Sequence, residues 1–218
     1  MGQIFRPYAD TVARAILLAV LVMPFAGVAF AYWVSRSEYV TDQSTTLDQP
    51  VPFSHKHHVG GLGLDCRYCH AGVETSAVAS VPPTNTCMTC HSQLYTQTAI
   101  LAPVRTSLAE GHPIHWSKVN KLPDYVYFDH SIHIAKGVGC STCHGAVDHM
   151  PLIRQTAPLT MGWCLDCHRD PAPNLRPATA VFDPDWVAPA DQAAQGRILL
   201  AHNQIDVNHL TDCSVCHR

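Results

Sequence analysis

A chain of 218 residues has room for one or two domains, and 14% charged residues with 16 prolines and 12 glycines describe a loop-rich protein with little charged surface. The formal charge of −3 gives no basic footprint, which excludes nucleic acid as an expected partner. Beyond the N-terminus the apolar residues are scattered and rarely periodic, so side chains alone would build a thin core and another group is expected to fill the interior.

The first element in chain order is Ala15 to Val34, AILLAVLVMPFAGVAFAYWV, with no charged residue. As a helix rising about 1.5 Å per residue it spans a bilayer core of about 30 Å. Pro24 kinks such a helix, which a membrane segment tolerates, and Tyr32 and Trp33 sit where an interfacial aromatic belt would be. A cleaved signal peptide competes with this reading. Ala29-Phe30-Ala31 has small-x-small character, and Arg6 and Arg14 precede the apolar run, but that run exceeds a usual signal core. Residues 1–34 are therefore expected to hold one transmembrane anchor, followed by a polar linker over 35–49.

The remainder, 50–218, is organised by its cysteines. All ten fall in five Cys-x-x-Cys-His units: Cys66/Cys69/His70, Cys87/Cys90/His91, Cys140/Cys143/His144, Cys164/Cys167/His168 and Cys213/Cys216/His217. An internal repeat groups them. Pro52-Phe53-Ser54-His55-Lys56-His57-His58-Val59 precedes Cys66, and Tyr127-Phe128-Asp129-His130-Ser131-Ile132-His133-Ile134 precedes Cys140. Each copy is followed by two attachment units. The expected layout is a first two-haem unit at 50–95, a connector at 96–124, a second two-haem unit at 125–177 and a fifth-haem segment at 178–218. Short helices and long loops are expected, with Asp170-Pro171-Ala172-Pro173 ending a helix sharply.

The spacing carries the chemistry. Two thiols about one helical turn apart can each add to a vinyl group of a porphyrin, and the next residue then swings an imidazole under the iron. His70, His91, His144, His168 and His217 are the expected proximal ligands of five covalently bound haem c groups. Zinc is the alternative, because Cys66/Cys69 with Cys87/Cys90, and Cys140/Cys143 with Cys164/Cys167, fit zinc-ribbon spacing. A ribbon does not require His after each second Cys, and the fifth pair would have no partner.

Six-coordinate iron needs a second ligand, and ten histidines lie outside the units. The repeated Phe-x-His-x-x-His selects His55 and His58 for the first two haems, and His130 and His133 for the third and fourth. His57 has no counterpart in the second copy, where Ile132 stands. The fifth distal position stays open among His149, Met150 and His202. His209 stands close before Cys213, and His112 and His115 read as surface residues.

These segments resemble the class III multihaem cytochromes. The anchor, PFSHKHHVGGLGLDCRYCH, VPPTNTCMTCH, LPDYVYFDHSIHIAKGVGCSTCHG, PLTMGWCLDCHRDPAPNLRP and CSVCHR together are similar to the pentahaem cytochrome c subunits of bacterial alternative complex III. The resemblance implies a mainly α, class III-like, haem-packed domain with long loops behind one N-terminal transmembrane helix. It also implies a non-catalytic electron-transfer subunit of a quinol:electron-acceptor oxidoreductase. Implied partners are an iron–sulfur subunit, polytopic quinol-binding subunits, a monohaem cytochrome c and membrane lipid. Haem c is attached outside the bacterial cytoplasmic membrane, so the haem domain is expected on the periplasmic side of the inner membrane. The alternatives are a stand-alone membrane-anchored quinol dehydrogenase feeding periplasmic reductases, and a multihaem reductase with one open haem.

Overall fold

The computed structural model describes Arg6 and residues 8–218; the rest of the expected 1–34 segment lies outside the described residues. The chain divides into two units, residues 1–42 and 43–218. In the first, helix α1 (Tyr8–Ser35) runs through Pro24 and buries none of its residues. At about 1.5 Å per residue it is roughly 42 Å long, enough by length and composition to cross a membrane. At its far end the Arg36 guanidinium sits 3.7 Å over the Tyr32 ring, pairing a cation with an amphipathic aromatic. A short helix α2 (Glu38–Thr41) follows, inside the stretch expected as linker.

The second unit is mainly helical, and no strand is present among the described residues. Two isolated antiparallel bridges, Thr46 with Arg154 and Val138 with Leu175, are its only β pairing there. The helices are short: α3 (Cys66–Cys69), α4 (Thr84–His91), α5 (Ala102–Glu110), α6 (His130–Ala135), α7 (Cys140–His144), α8 (Met161–Arg169), α9 (Gln192–His202) and α10 (Cys213–Cys216). A π-turn covers Lys56–Gly61. Helix α8 ends at Arg169, directly before Asp170-Pro171, as the prolines require.

The apolar core is small. Val51, Val73, Val104, Val119, Met150, Ala157, Ala172, Leu175, Ala180 and Val181 are its buried hydrophobics, and of the large side chains only Leu175 and Val181 are fully enclosed. A unit of this size ordinarily rests on a far larger apolar interior. Close backbone packing supplies part of the cohesion. The π-turn lies on residues 147–149 because Gly60 has no Cβ; one would stand 2.4 Å from Asp148 O. Helix α9 lies on residues 172–174 for the same reason, since a Cβ on Gly196 would meet Ala172 O at 1.9 Å.

Candidate haem-binding sites

Three of the five attachment units begin a helix, and the other two complete one. Helices α3, α7 and α10 start at the first cysteine; α4 and α8 carry their cysteines in the last turns. The His70 and His217 amides donate to the Cys66 and Cys213 carbonyls at 2.9 Å, which closes one turn from first thiol to imidazole. At α3 the Asp65 carboxylate accepts from the Arg67 amide at 2.8 Å and from its guanidinium at 2.9 and 2.7 Å. All ten thiols are free of disulfides. Among the described residues no three His, Cys, Asp or Glu side chains converge to hold a bare ion, so the four-cysteine clusters of a zinc ribbon are not assembled.

The two Phe-x-His-x-x-His copies fold into the same device. Phe53 stacks on His58 at 4.4 Å and meets His55 edge-on at 4.9 Å. Phe128 stacks on His133 at 4.5 Å and meets His130 edge-on at 4.8 Å. One aromatic ring thus sets the angle between two imidazoles three residues apart. The backbones differ: Asp129 caps α6 by accepting from the Ser131 amide at 2.8 Å, while Lys56–Gly61 of the first copy adopts the π-turn.

Each of three distal candidates faces a motif histidine. Ring centres are 6.2 Å apart for His58 and His91, 6.3 Å for His130 and His144, and 6.1 Å for His133 and His168. Two metal–nitrogen bonds of about 2.0 Å and the roughly 1.1 Å from ring nitrogen to ring centre place two imidazoles about 6.2 Å apart across one iron. The residues therefore fit bis-histidine haem c. His55 neighbours His70, with His58 and His144 next. His217 contacts the Tyr125 ring, and its Nδ1 lies 3.1 Å from the Tyr125 carbonyl.

Ring orientation points the same way. Nδ1 of His58, His70, His91, His130, His133, His168 and His217 each lies 2.7 to 3.2 Å from a backbone carbonyl, those of Ser54, Ser80, Leu94, Ala77, Asp129, Leu210 and Tyr125 respectively. A carbonyl accepts only from a protonated nitrogen, so Nε2 is left as the unprotonated donor that iron needs. Burial favours the neutral form of three of the rings, His55, His133 and His144. It lowers His144 to about 4, with repulsion from His130 and His70, and lowers His55 to about 4, with repulsion from His70, His58 and His144. Burial also lowers His133.

The surplus histidines are held differently. His149 lies beside Cys66 and Gly60, its Nε2 3.3 Å from the Asp148 carboxylate. Met150 is buried, and its carbonyl accepts from the Lys56 amide at 2.9 Å. His202 is exposed, beside Gly137 and Pro177, with its Nδ1 3.0 Å from Asn203 Oδ1. The hydrogen bonds of the fifth motif to the rest of the chain run to Tyr125 and Tyr127. His209 is engaged with Asp212 and Asp206, and His57, His112 and His115 are exposed.

One residue passed unnoticed in the sequence. Arg176 is buried, stacks over Trp186 at 4.4 Å and donates to Ser141 Oγ inside the third motif. Its Nε is buried without a partner, the kind of donor that an anionic substituent on a bound group would satisfy. A lone Arg among prolines offers no pattern to find; only the fold brings it to Ser141.

Residues 126–218 match the family described as cytochrome c7 and related cytochrome c. The multihaem cytochrome c subunit of menaquinone reductase from Nitratidesulfovibrio vulgaris (strain Hildenborough) is 35% identical over 98 residues, 44% of this chain. The match covers 46% of that protein, so the chain spans less than half the length of this relative. With the motif turns and paired imidazoles already in place, residues 126–218 resemble the cytochrome c7 group of multihaem cytochromes c, and their thiols and imidazoles are of the kind that would hold covalently bound haem c.

Proposed function

We propose that this chain is the membrane-anchored pentahaem electron-transfer subunit of a quinol:electron-acceptor oxidoreductase of the alternative complex III kind. The observation that carries the reading is the set of three imidazole pairs at 6.1 to 6.3 Å, each joining a repeat histidine to a motif histidine. Proximal and distal ligands are His70 with His55, His91 with His58, His144 with His130, and His168 with His133; His217 is the fifth proximal ligand. Haem c supplies a one-electron iron couple. The protein holds seven of these nine rings by a backbone carbonyl at Nδ1 and sets Phe53 and Phe128 against the four repeat imidazoles. With both ligands bound, each paired iron would be closed to small ligands.

The relative in N. vulgaris is named for menaquinone reductase, which supports a quinone-linked membrane complex as the setting. The partners are an iron–sulfur subunit, polytopic quinol-binding subunits and a monohaem cytochrome c, with α1 held in the inner membrane and the haem domain on the periplasmic side. Pyridine haemochrome and low-temperature EPR of the purified chain test the reading: five haems per chain, at least four of them low-spin, are expected, and fewer than five overturns it. Carbonate washing of membranes tests the anchor, because a chain cleaved after Ala31 is released and an anchored one is retained.

A second reading has one observation in its favour. Among the described residues the ring packed against His217 is Tyr125, not an imidazole, and the Tyr125 carbonyl lies at its Nδ1. A multihaem reductase with an open fifth haem fits that arrangement. One high-spin haem that binds cyanide rapidly and turns over nitrite would select it.

A further inference from the structure

The five motifs do not follow one another in space as they do in sequence. Motifs one and two meet directly: Tyr68, between Cys66 and Cys69, shares a 2.8 Å hydrogen bond with Thr89, between Cys87 and Cys90. Motif one then joins motif three rather than motif two joining it. Cys66 Sγ and the Cys140 amide lie on consecutive carbonyls, those of Phe182 at 4.0 Å and Val181 at 3.2 Å. His130, paired with His144 of motif three, is held through both its amide and its Nδ1 by Ala77 O, in the loop after motif one.

Motifs three and four share α6, whose His130 and His133 face His144 and His168 across one Phe128 ring. Motif four joins motif five through Leu210, three residues before Cys213, whose carbonyl holds His168 Nδ1 at 2.9 Å. Exposure follows the same order. Of the ten cysteines only Cys90 and Cys213 are exposed, and they belong to motifs two and five, the two ends of the series.

We propose that the attachment sites form one line in the order two, one, three, four, five, and that sites two and five are the ports where single electrons are exchanged with partner proteins. At one port a one-electron protein donor, such as a reduced iron–sulfur centre, is oxidised as a ferric site becomes ferrous. At the other port a ferrous site returns to ferric as a one-electron acceptor, such as a ferric cytochrome, is reduced. No bond forms or breaks and no proton is needed. Edge contact between successive motifs keeps each hop short, whereas a path in sequence order would have to pass from site two to site three around site one. The inference rests on the multihaem reading given above.

The test uses the full haem-loaded chain in detergent, with haem-methyl NMR followed through a reductive titration. Each pair of sites repels on reduction in proportion to nearness. Site one is expected to shift with both site two and site three, and site two with site one alone. His58→Met and His130→Met, which mark sites two and three while keeping iron six-coordinate, assign the resonances; the wild-type titration reads the same couplings if either variant fails to mature. Coupling of site two to site three as strong as to site one overturns the order. A soluble gadolinium chelate tests the ports: the methyls of sites two and five should broaden severalfold more than the others, and equal broadening at site three overturns that assignment. Five low-spin haems with a different coupling pattern would sink the order and leave the functional reading standing; a low haem count would sink the reading itself.

Discussion

Replacing His58 by alanine removes one imidazole with three roles in the structure. Its ring centre stands 6.2 Å from that of His91, its Nδ1 is held 2.9 Å from Ser54 O, and Phe53 stacks on it at 4.4 Å. Losing the hydrogen bond and the ring contact costs about 2 kcal/mol of local packing. The larger effect is spectroscopic. On the proposed pentahaem reading one of five irons loses its distal ligand, so the low-spin signal should fall by about 20% and a high-spin signal should replace it. The variant should bind one carbon monoxide per chain more than wild type, and added imidazole should restore the low-spin form. His57→Ala is the control, because that ring is exposed and only edges against His58 at 5.3 Å. EPR with carbon monoxide titration reads both. A His58→Ala protein with an undiminished low-spin signal, or a His57→Ala protein with the same loss, would refute the pairing.

Arg176→Leu should lower the midpoint of the third site, because removing a cation favours the more positive oxidised iron. A unit charge within about 10 Å at an effective dielectric near 20 is worth about 1.7 kcal/mol, or roughly 70 mV. Potentiometry with Arg176→Lys as the charge-preserving comparison checks this, and an equal drop in both variants would assign the effect to packing. Gly196→Ala should be destabilising despite the gain of about 1 kcal/mol in helix propensity. The new Cβ would stand 1.9 Å from Ala172 O, where contacts below 3.0 Å are essentially never seen. Parting the two backbones should cost about 3 kcal/mol, a fall in Tm of about 5–10 °C by circular dichroism; an unchanged Tm would show that α9 does not pack there. Acid should weaken the fold through His55 and His144. Burial holds both near 4, below the unfolded value of about 6.5, so between those pH values the unfolded chain binds more protons and stability falls as pH drops. The loss is at most about 3 kcal/mol for each ring, complete near pH 4, and iron ligation acts in the same direction. Urea midpoints at pH 7, 5 and 4 measure it, and a flat profile would contradict the burial argument.

Local chemistry was legible in the sequence wherever the needed residues are neighbours along the chain. The Cys-x-x-Cys-His turns, the Phe-x-His-x-x-His repeat, the long apolar helix and the helix stop at Asp170-Pro171 all act within a few residues, so spacing alone reveals them. The repeat selects His55 and His58 together for the first two motifs, and the fold sets the His58 ring opposite His91. The fold decided what depends on distant segments meeting. Val181 and Phe182 bring motif one to motif three, Leu210 orients His168 across 42 residues, and Arg176 reaches Ser141 across 35. The fifth motif shows the limit from the other side. His149 and His202 both carry plausible spacings, and spacing alone does not choose between them; in the fold His149 lines a cavity with Cys66 and His202 one with Gly137. Thioether and iron bonds demand only local spacing, whereas an electron path demands proximity between motifs, and proximity is a property of the packed chain.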